Sequence, residues 1–126
     1  MCKNENHKNQ IETTSHIVMS KDLNSYGTLF GGKLISWMDE LALILSVKYT
    51  GLECVTTSFD NIKLKKSVFI HDVLEITAEI KDIKKCSLYI DITVNRIKKN
   101  ASPEYIAGGN VVFVALDENK KLARIK

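Results

Sequence analysis

The sequence predicts an α+β domain in which antiparallel strands pack against one long helix. Two observations carry that expectation. Between Gly32 and about Tyr49, Leu34, Met38, Leu41 and Leu45 recur at helical spacing, which draws an apolar stripe down the whole segment. After Gly51 the chain turns to Val, Ile, Thr and Tyr in period-two alternation, clearest in Ile76, Ala78, Ile80 and in Ile90, Ile92, Val94. One helix followed by strands with no helix between them is an α+β pattern.

Taken in order, Met1–Gln10 is polar and is expected to be a disordered tail, leaving residues 11–126 as one domain. Ile11–Ser20 is a first strand, with Ile17 and Met19 on one face. Lys21–Phe30 is a loop with Asn24 and Gly27 as turn residues. Ile35, Ala42, Leu43, Ile44 and Val47 extend the apolar cover of the helix nearly all round, so it is expected to be buried on every side. Thr50–Gly51 ends it. Four strands follow at Cys54–Leu64, Val73–Ile83, Leu88–Ile97 and Tyr105–Leu116, separated by turn segments.

Composition narrows the function. A chain of 126 residues that is 44% apolar can build one core, but it is short for a free-standing enzyme, so a site completed by a second copy is expected. No run of about 18 apolar residues is present, and the start is polar, so neither a membrane span nor a leader peptide is expected. Cys2, Cys54 and Cys86 are odd in number and widely spaced, and His7, His16 and His71 have no ligand spacing. A disulfide framework and a metal site are therefore not implied, and a reducing cytoplasm fits. Lysines cluster at 63–66, 81–85 and 98–99 for a net charge of +3. Such clusters either solvate a face or bind an anion. Without interleaved aromatics they do not form a nucleic-acid stacking platform.

The chemistry concentrates in one stretch. Asn24-Ser25-Tyr26-Gly27-Thr28-Leu29-Phe30-Gly31-Gly32 is a polar loop that opens directly into the helix, and Asp39 follows two turns later. Helix N-terminal N–H groups and the positive dipole end suit a developing oxyanion, and a carboxylate near them suits water activation. On a helical wheel Lys33, Ser36 and Glu40 share a solvent face. Asp39 lies instead at the edge of the apolar arc beside Ile35 and Leu43, where partial desolvation favours a basic carboxylate. Gly31 and Gly32 lack β-carbons and let a substrate approach the backbone. Each residue also has a purely structural role open to it: turn-making for Asn24, a strand position for Thr56, and a backbone-bonded surface carboxylate for Asp39.

The spelling Asn24-x-x-Gly27-x-Leu29-Phe30-Gly31-Gly32, then Trp37-Met38-Asp39, resembles the hotdog-fold acyl-CoA thioesterases, in particular the bacterial broad-range acyl-CoA hydrolases. Val55-Thr56-Thr57-Ser58 and Phe113-Val114-Ala115-Leu116-Asp117-Glu118-Asn119 extend the resemblance over most of the chain from about Ile11 to Asn119. It implies a sheet wrapped around a central helix, and hydrolysis of acyl-CoA to a fatty acid and coenzyme A without a cofactor. It also implies a homodimer or trimer of dimers with sites between subunits. Asp39 would be the general base, or a nucleophile forming a mixed anhydride. Asn24 and Thr56 would position water or carbonyl, and the N–H groups of Gly31 and Gly32 would hold the oxyanion. The loop asparagine and helix aspartate of one site would come from different subunits. Phosphate contacts from Lys65, Lys66, Lys84 or Lys85 follow from charge, and one from Ser87 follows from position.

The chain departs from the family at two turns. A Gly-Asp pair reads His71-Asp72, and a Gly-x-Ser-Ser or Gly-x-Thr-Ser turn that meets the nucleotide reads Lys84-Lys85-Cys86-Ser87. An acyl-CoA-binding sensor without turnover is the alternative of a different class. A dehydratase ranks last, because no histidine lies in the helix or its leading loop.

Overall fold

The computed structural model describes residues 10–125. Of the expected tail all but Gln10, and with it Cys2 and His7, lies outside the described residues. The elements are β1 (Ile11–Ile17), a 3-10 turn (Ser20–Asp22), α1 (Gly31–Thr50), β2 (Glu53–Leu64), β3 (Val73–Lys84), β4 (Ser87–Arg96) and β5 (Glu104–Leu116). The helix and four later strands fall within one or two residues of their expected bounds. The first strand is shorter, because the Asp22 carboxylate accepts the Met19 N–H at 3.0 Å and turns the chain into the 3-10 segment.

All pairings are antiparallel, and the sheet order is β1-β3-β4-β5-β2. Alternate residues of the central strands point to one face: Leu74, Ile76, Ala78 and Ile80 on β3, Leu88, Ile90, Ile92 and Val94 on β4, and Val111, Phe113 and Ala115 on β5 are buried. They cover the buried α1 side chains Leu34, Trp37, Met38, Leu41 and Leu45. At about 25 cal/mol per Å² of apolar surface, this helix-on-sheet contact is the main source of stability.

The expectation of a helix buried all round is corrected. Leu43, Ile44 and Val47 remain exposed, because a single sheet layer reaches only one side of a cylinder. On the far side of the sheet β2 is an edge strand. It carries Val55, Ile62 and Leu64 exposed and two register irregularities, between Thr56 and Ser58 and between Asp60 and Lys63. Among the described residues no helix is long and apolar enough to cross a membrane.

Two turn residues show the backbone logic from opposite directions. Gly51 ends α1 with φ 70°, and its N–H returns to the Val47 carbonyl at 2.8 Å. His71 adopts φ 70° as well, so the turn keeps the left-handed backbone that glycine enters without strain and imposes it on a side chain. A β-carbon at Gly51 would meet nothing within 4 Å, which leaves only the backbone cost. Denaturant unfolding is expected to show Gly51→Ala destabilised by about 1–2 kcal/mol and His71→Gly stabilised by a smaller amount.

Candidate active site

The loop into α1 is built on its own side chains. Asn24 Oδ1 accepts from the N–H groups of Tyr26 (2.9 Å) and Thr28 (3.2 Å), and its Nδ2 donates to Thr28 Oγ1 at 3.0 Å. Gly27 sits at φ 83° at the tip, and Tyr26 beside it is 89% exposed. Asn24 therefore makes the turn. One amide hydrogen of its Nδ2 is left to offer outward.

The loop is then clamped by a residue that sequence reasoning missed. Asp22 is buried, takes the Met19 N–H on Oδ2, and faces Lys21 Nζ at 3.3 Å and Lys33 Nζ at 3.6 Å on Oδ1. Its carbonyl accepts the Phe30 N–H at 2.9 Å, directly at the helix start. Lys33 is thus not simply a solvent-face residue. The signal available in the sequence was Asp22 near the start of that loop, which has the spelling of any surface turn.

Helix α1 begins with Phe30 as N-cap and no side-chain cap. The Lys33 and Leu34 N–H groups return to the Phe30 carbonyl, and among the described residues those of Gly31 and Gly32 have no backbone partner, as is usual for first-turn donors. A β-carbon on Gly32 would lie 2.8 Å from the Phe30 ring, and one on Gly31 would lie 3.2 Å from Leu64. Both glycines keep the helix mouth open. An open groove of about 260 Å³ runs there between Thr28, Gly31, Leu64, Lys65, Lys66 and Val68.

Asp39 and Thr56 meet. The Thr56 hydroxyl donates to Asp39 Oδ1 at 2.9 Å. The bulge explains the aim: Thr56 pairs with Phe113 and Ser58 with Val112, which leaves Thr57 as the extra residue. An extra residue bends the strand and redirects its neighbours, and the Thr57 hydroxyl is tied off on the Val112 carbonyl. Asp39 is half-buried and Thr56 exposed in the chain alone.

The expected neighbourhood of Asp39 and the helix N-terminus is corrected. Eight residues of helix separate Gly31 from Asp39, about 12 Å along the axis. One carbonyl cannot use both within one chain. The lysines are divided in the same way. Lys65 and Lys66 follow Leu64 at the groove, whereas Lys84, Lys85 and Ser87 form the β3–β4 turn, level with Val55 through the Ser87–Val114 and Val55–Val114 pairs. These two ends of the sheet are roughly 25 Å apart at 3.3 Å per strand residue. Lys66 is also engaged, with Glu104 at 2.9 Å, and Lys84 faces Asp82 at 3.9 Å.

The groove's floor is pinned electrostatically. Arg96 donates to the Ser67 carbonyl, to Asp72 at 2.7 Å and to Glu104 at 3.0 Å. Hydrogen bonds from Lys66, Arg96 and Lys98 hold the Glu104 carboxyl down at about 2. Among the described residues no group of three His, Cys, Asp or Glu is placed to hold a metal. Cys54 is buried, which pushes its thiol up, and it packs as an apolar residue.

A five-stranded antiparallel sheet on one long helix, with a glycine-rich loop feeding that helix, defines the hotdog architecture. The chain belongs to the Thioesterase superfamily, whose family model matches residues 26–100. It is 32% identical over 107 residues to an uncharacterized acyl-CoA thioester hydrolase of Bacillus subtilis, a match covering 82% of this chain and 61% of that relative. Among solved structures it resembles the acyl-CoA hydrolase of Staphylococcus aureus in complex with butyryl coenzyme A, coenzyme A and coenzyme A disulfide (TM-score 0.89, 26% identity, 94% of this chain, 73% of that one). It also resembles the hexameric thioesterase of Yersinia pestis (TM-score 0.82, 26% identity, 90% of this chain, 93% of that one). The Staphylococcus hydrolase was solved as alanine variants of an asparagine, an aspartate and a threonine, spaced fifteen and seventeen residues apart. Asn24, Asp39 and Thr56 have the same spacing here.

The Asp22 clamp carries a pH signature. The Met19 N–H foremost, with Lys21 and Lys33, stabilises the ionised carboxylate against the opposing cost of burial, so its pKa is lowered. Its contribution is complete above the ordinary carboxylate range near pH 4 and is lost as the pH falls through the folded value. Asp22→Asn should cost about 1.5–3 kcal/mol at pH 7. In denaturant titrations, the gap from wild type should close well below pH 4.

Proposed function

We propose that this protein hydrolyses acyl-CoA thioesters to the free acid and coenzyme A, in sites shared between two copies of the chain. The observation that carries the reading is the Thr56 hydroxyl donating to Asp39 Oδ1 at 2.9 Å. It holds one carboxylate oxygen and leaves the other to face a water. The activated water attacks the thioester carbonyl carbon and transfers its proton to Asp39. The oxyanion so formed is held by the free N–H groups of a Gly31–Gly32 helix start. Collapse breaks the C–S bond, and the proton returns from Asp39 to the departing thiolate. Water is the only cosubstrate and no cofactor takes part.

The division of the site explains why a second copy is needed. Two β2 edges pairing antiparallel about a two-fold axis would bring the Leu64 end of one copy to the Val55 end of the other. That motion unites Asp39 and Thr56 of one chain with the glycine helix start, Asn24 and Lys65 of its neighbour. The Lys84–Ser87 turn comes to the same place, so both sets of cations can reach the phosphates of one coenzyme A. It also covers the exposed Leu43, Ile44, Val55 and Leu64. An isologous contact of this kind is the commonest way to close a dimer. By analogy with the hexameric Yersinia thioesterase, we take the assembly to be a trimer of such dimers.

Thiol release from a panel of acyl-CoAs, short to long, tests the activity. Asp39→Asn should fold normally and lose about 10²–10⁴ in turnover, the usual size of an acid–base contribution; wild-type turnover would rule out the mechanism. Thr56→Val should cost about 10-fold, the worth of one hydrogen bond to a charged group. One turnover in ¹⁸O-water with enzyme in excess separates general base from anhydride: the base route labels the product acid at once, whereas the anhydride route first labels Asp39. The shared site is tested by mixing Asp39→Asn with Asn24→Ala chains under exchange. Random pairing should restore activity toward about a quarter of wild type, since half the dimers are mixed and one of their two sites is intact. No restoration would place both residues in one chain's site.

A further inference from the structure

Beyond β5 the chain folds back on itself. Asp117 Oδ1 accepts the Asn119 and Lys121 N–H groups, and Leu116 bridges Leu122. The returning segment is then pinned at two points. The Ala123 N–H donates to the Ala115 carbonyl and the Ile125 N–H to the Lys85 carbonyl, both at 2.8 Å. Lys120 adds an ion pair to Glu53 at the start of β2. Ile125 is thereby buried in the core, whereas Ala123 packs only against its edge.

Between this segment and the C-terminal end of α1 lies a cavity of about 450 Å³, lined by Tyr49, Thr50, Leu52, Ala123, Arg124 and Ile125. That volume falls in the range of small-molecule sites, about 300–1,000 Å³. Its walls are largely apolar. The Thr50 hydroxyl donates to the Ser46 carbonyl and accepts the Leu52 N–H, so it is already engaged within the protein. Arg124 is different. It is exposed at the rim and takes part in no ion pair among the described residues. An apolar hollow with one uncommitted guanidinium at its rim suits an amphiphile that has an anionic head.

Two physical constraints select that head. The carbonyls at the C-terminal end of α1 repel an anion, so the charge must stay on the Arg124 side and only the tail can reach Tyr49 and Leu52. One cation balances one charge, and the guanidinium fork matches a planar carboxylate with two parallel hydrogen bonds.

We propose that this cavity binds a free alkyl carboxylic acid, its carboxylate on Arg124 and its chain against Tyr49, Leu52, Ala123 and Ile125. The site is separate from the reacting groups, since Tyr49 follows Asp39 by ten residues, about 15 Å along the helix axis. The ligand is of the same chemical class as the acid that acyl-CoA hydrolysis would release. Its binding needs no turnover and is independent of the hydrolytic reading.

Calorimetric titration with hexanoate, octanoate, decanoate and decanol tests the proposal. One acid per chain should bind, with affinity rising about fourfold for each methylene the cavity takes in, the worth of one buried CH₂. Arg124→Gln should weaken decanoate about two- to fivefold, as loss of an exposed ion pair does, and leave decanol unchanged. Ala123→Phe should abolish binding by filling the cavity; Leu52→Trp fills it from the helix side if the first variant folds poorly. Alanine methyl resonances report the location. Decanoate should shift Ala123 and leave Ala42, one turn beyond Asp39, in place. Absence of saturable binding, undiminished binding in the folded cavity-filling variant, or a shift at Ala42 in place of Ala123 would each overturn the proposal. Decanol binding to wild type as tightly as decanoate would overturn the assignment to an acid.

Discussion

Everything in this molecule follows from the contact between one face of α1 and the inner face of the sheet. Leu34, Met38, Leu41 and Leu45 are almost entirely withdrawn from water by side chains from β3, β4 and β5. Because one sheet covers only one side of a helix, the opposite stripe and the β2 edge stay bare. That remainder includes Leu43, Ile44 and Val47 on the helix and Val55, Ile62 and Leu64 on the strand, and a bare edge strand invites pairing with another chain. The same packing fixes Asp39 midway along the helix, opposite the Thr56 bulge and well away from the helix N-terminus. The bare edge and the distance between Asp39 and the helix start therefore come from one packing arrangement.

Around this apolar contact, charges position the parts that packing leaves loose. Asp22 ties the loop before α1 to the first helical turn, with its carboxylate buried against Met19 and flanked by Lys21 and Lys33. Arg96 does the corresponding work beneath the groove, linking Ser67, Asp72 and Glu104. Both clamps act on loop segments that are otherwise anchored to the core by single side chains such as Leu29 and Val68. Loops that carry reacting groups need such bracing, since a displacement of about 1 Å can cost most of their rate advantage.

The strands and helix were legible because their signals are local. Period-two alternation in β3 and β4 and helical spacing in α1 depend on neighbours in sequence and on nothing else. The left-handed position at His71 was legible in part, as a site where glycine would be expected. Asp22 and Arg96 were not. A buried carboxylate is spelled like an exposed one, and its partners become visible only when residues distant in sequence, such as Lys33 or Glu104, are brought beside it.

For the site, the sequence by itself determined which residue types lie in the loop, on the helix and on β2, and so the family and the chemistry its members resemble. Only the tertiary structure decided which of them meet. Asp39 bonds Thr56 through a bulge that no periodicity announces. Gly31 stands about 12 Å from Asp39 because helix rise is fixed at 1.5 Å per residue, and two lysine clusters that look interchangeable in sequence stand at opposite ends of the sheet. Composition and spacing act through short-range preferences of the chain. Proximity between elements is set by how a whole helix face and a whole sheet face can be buried together.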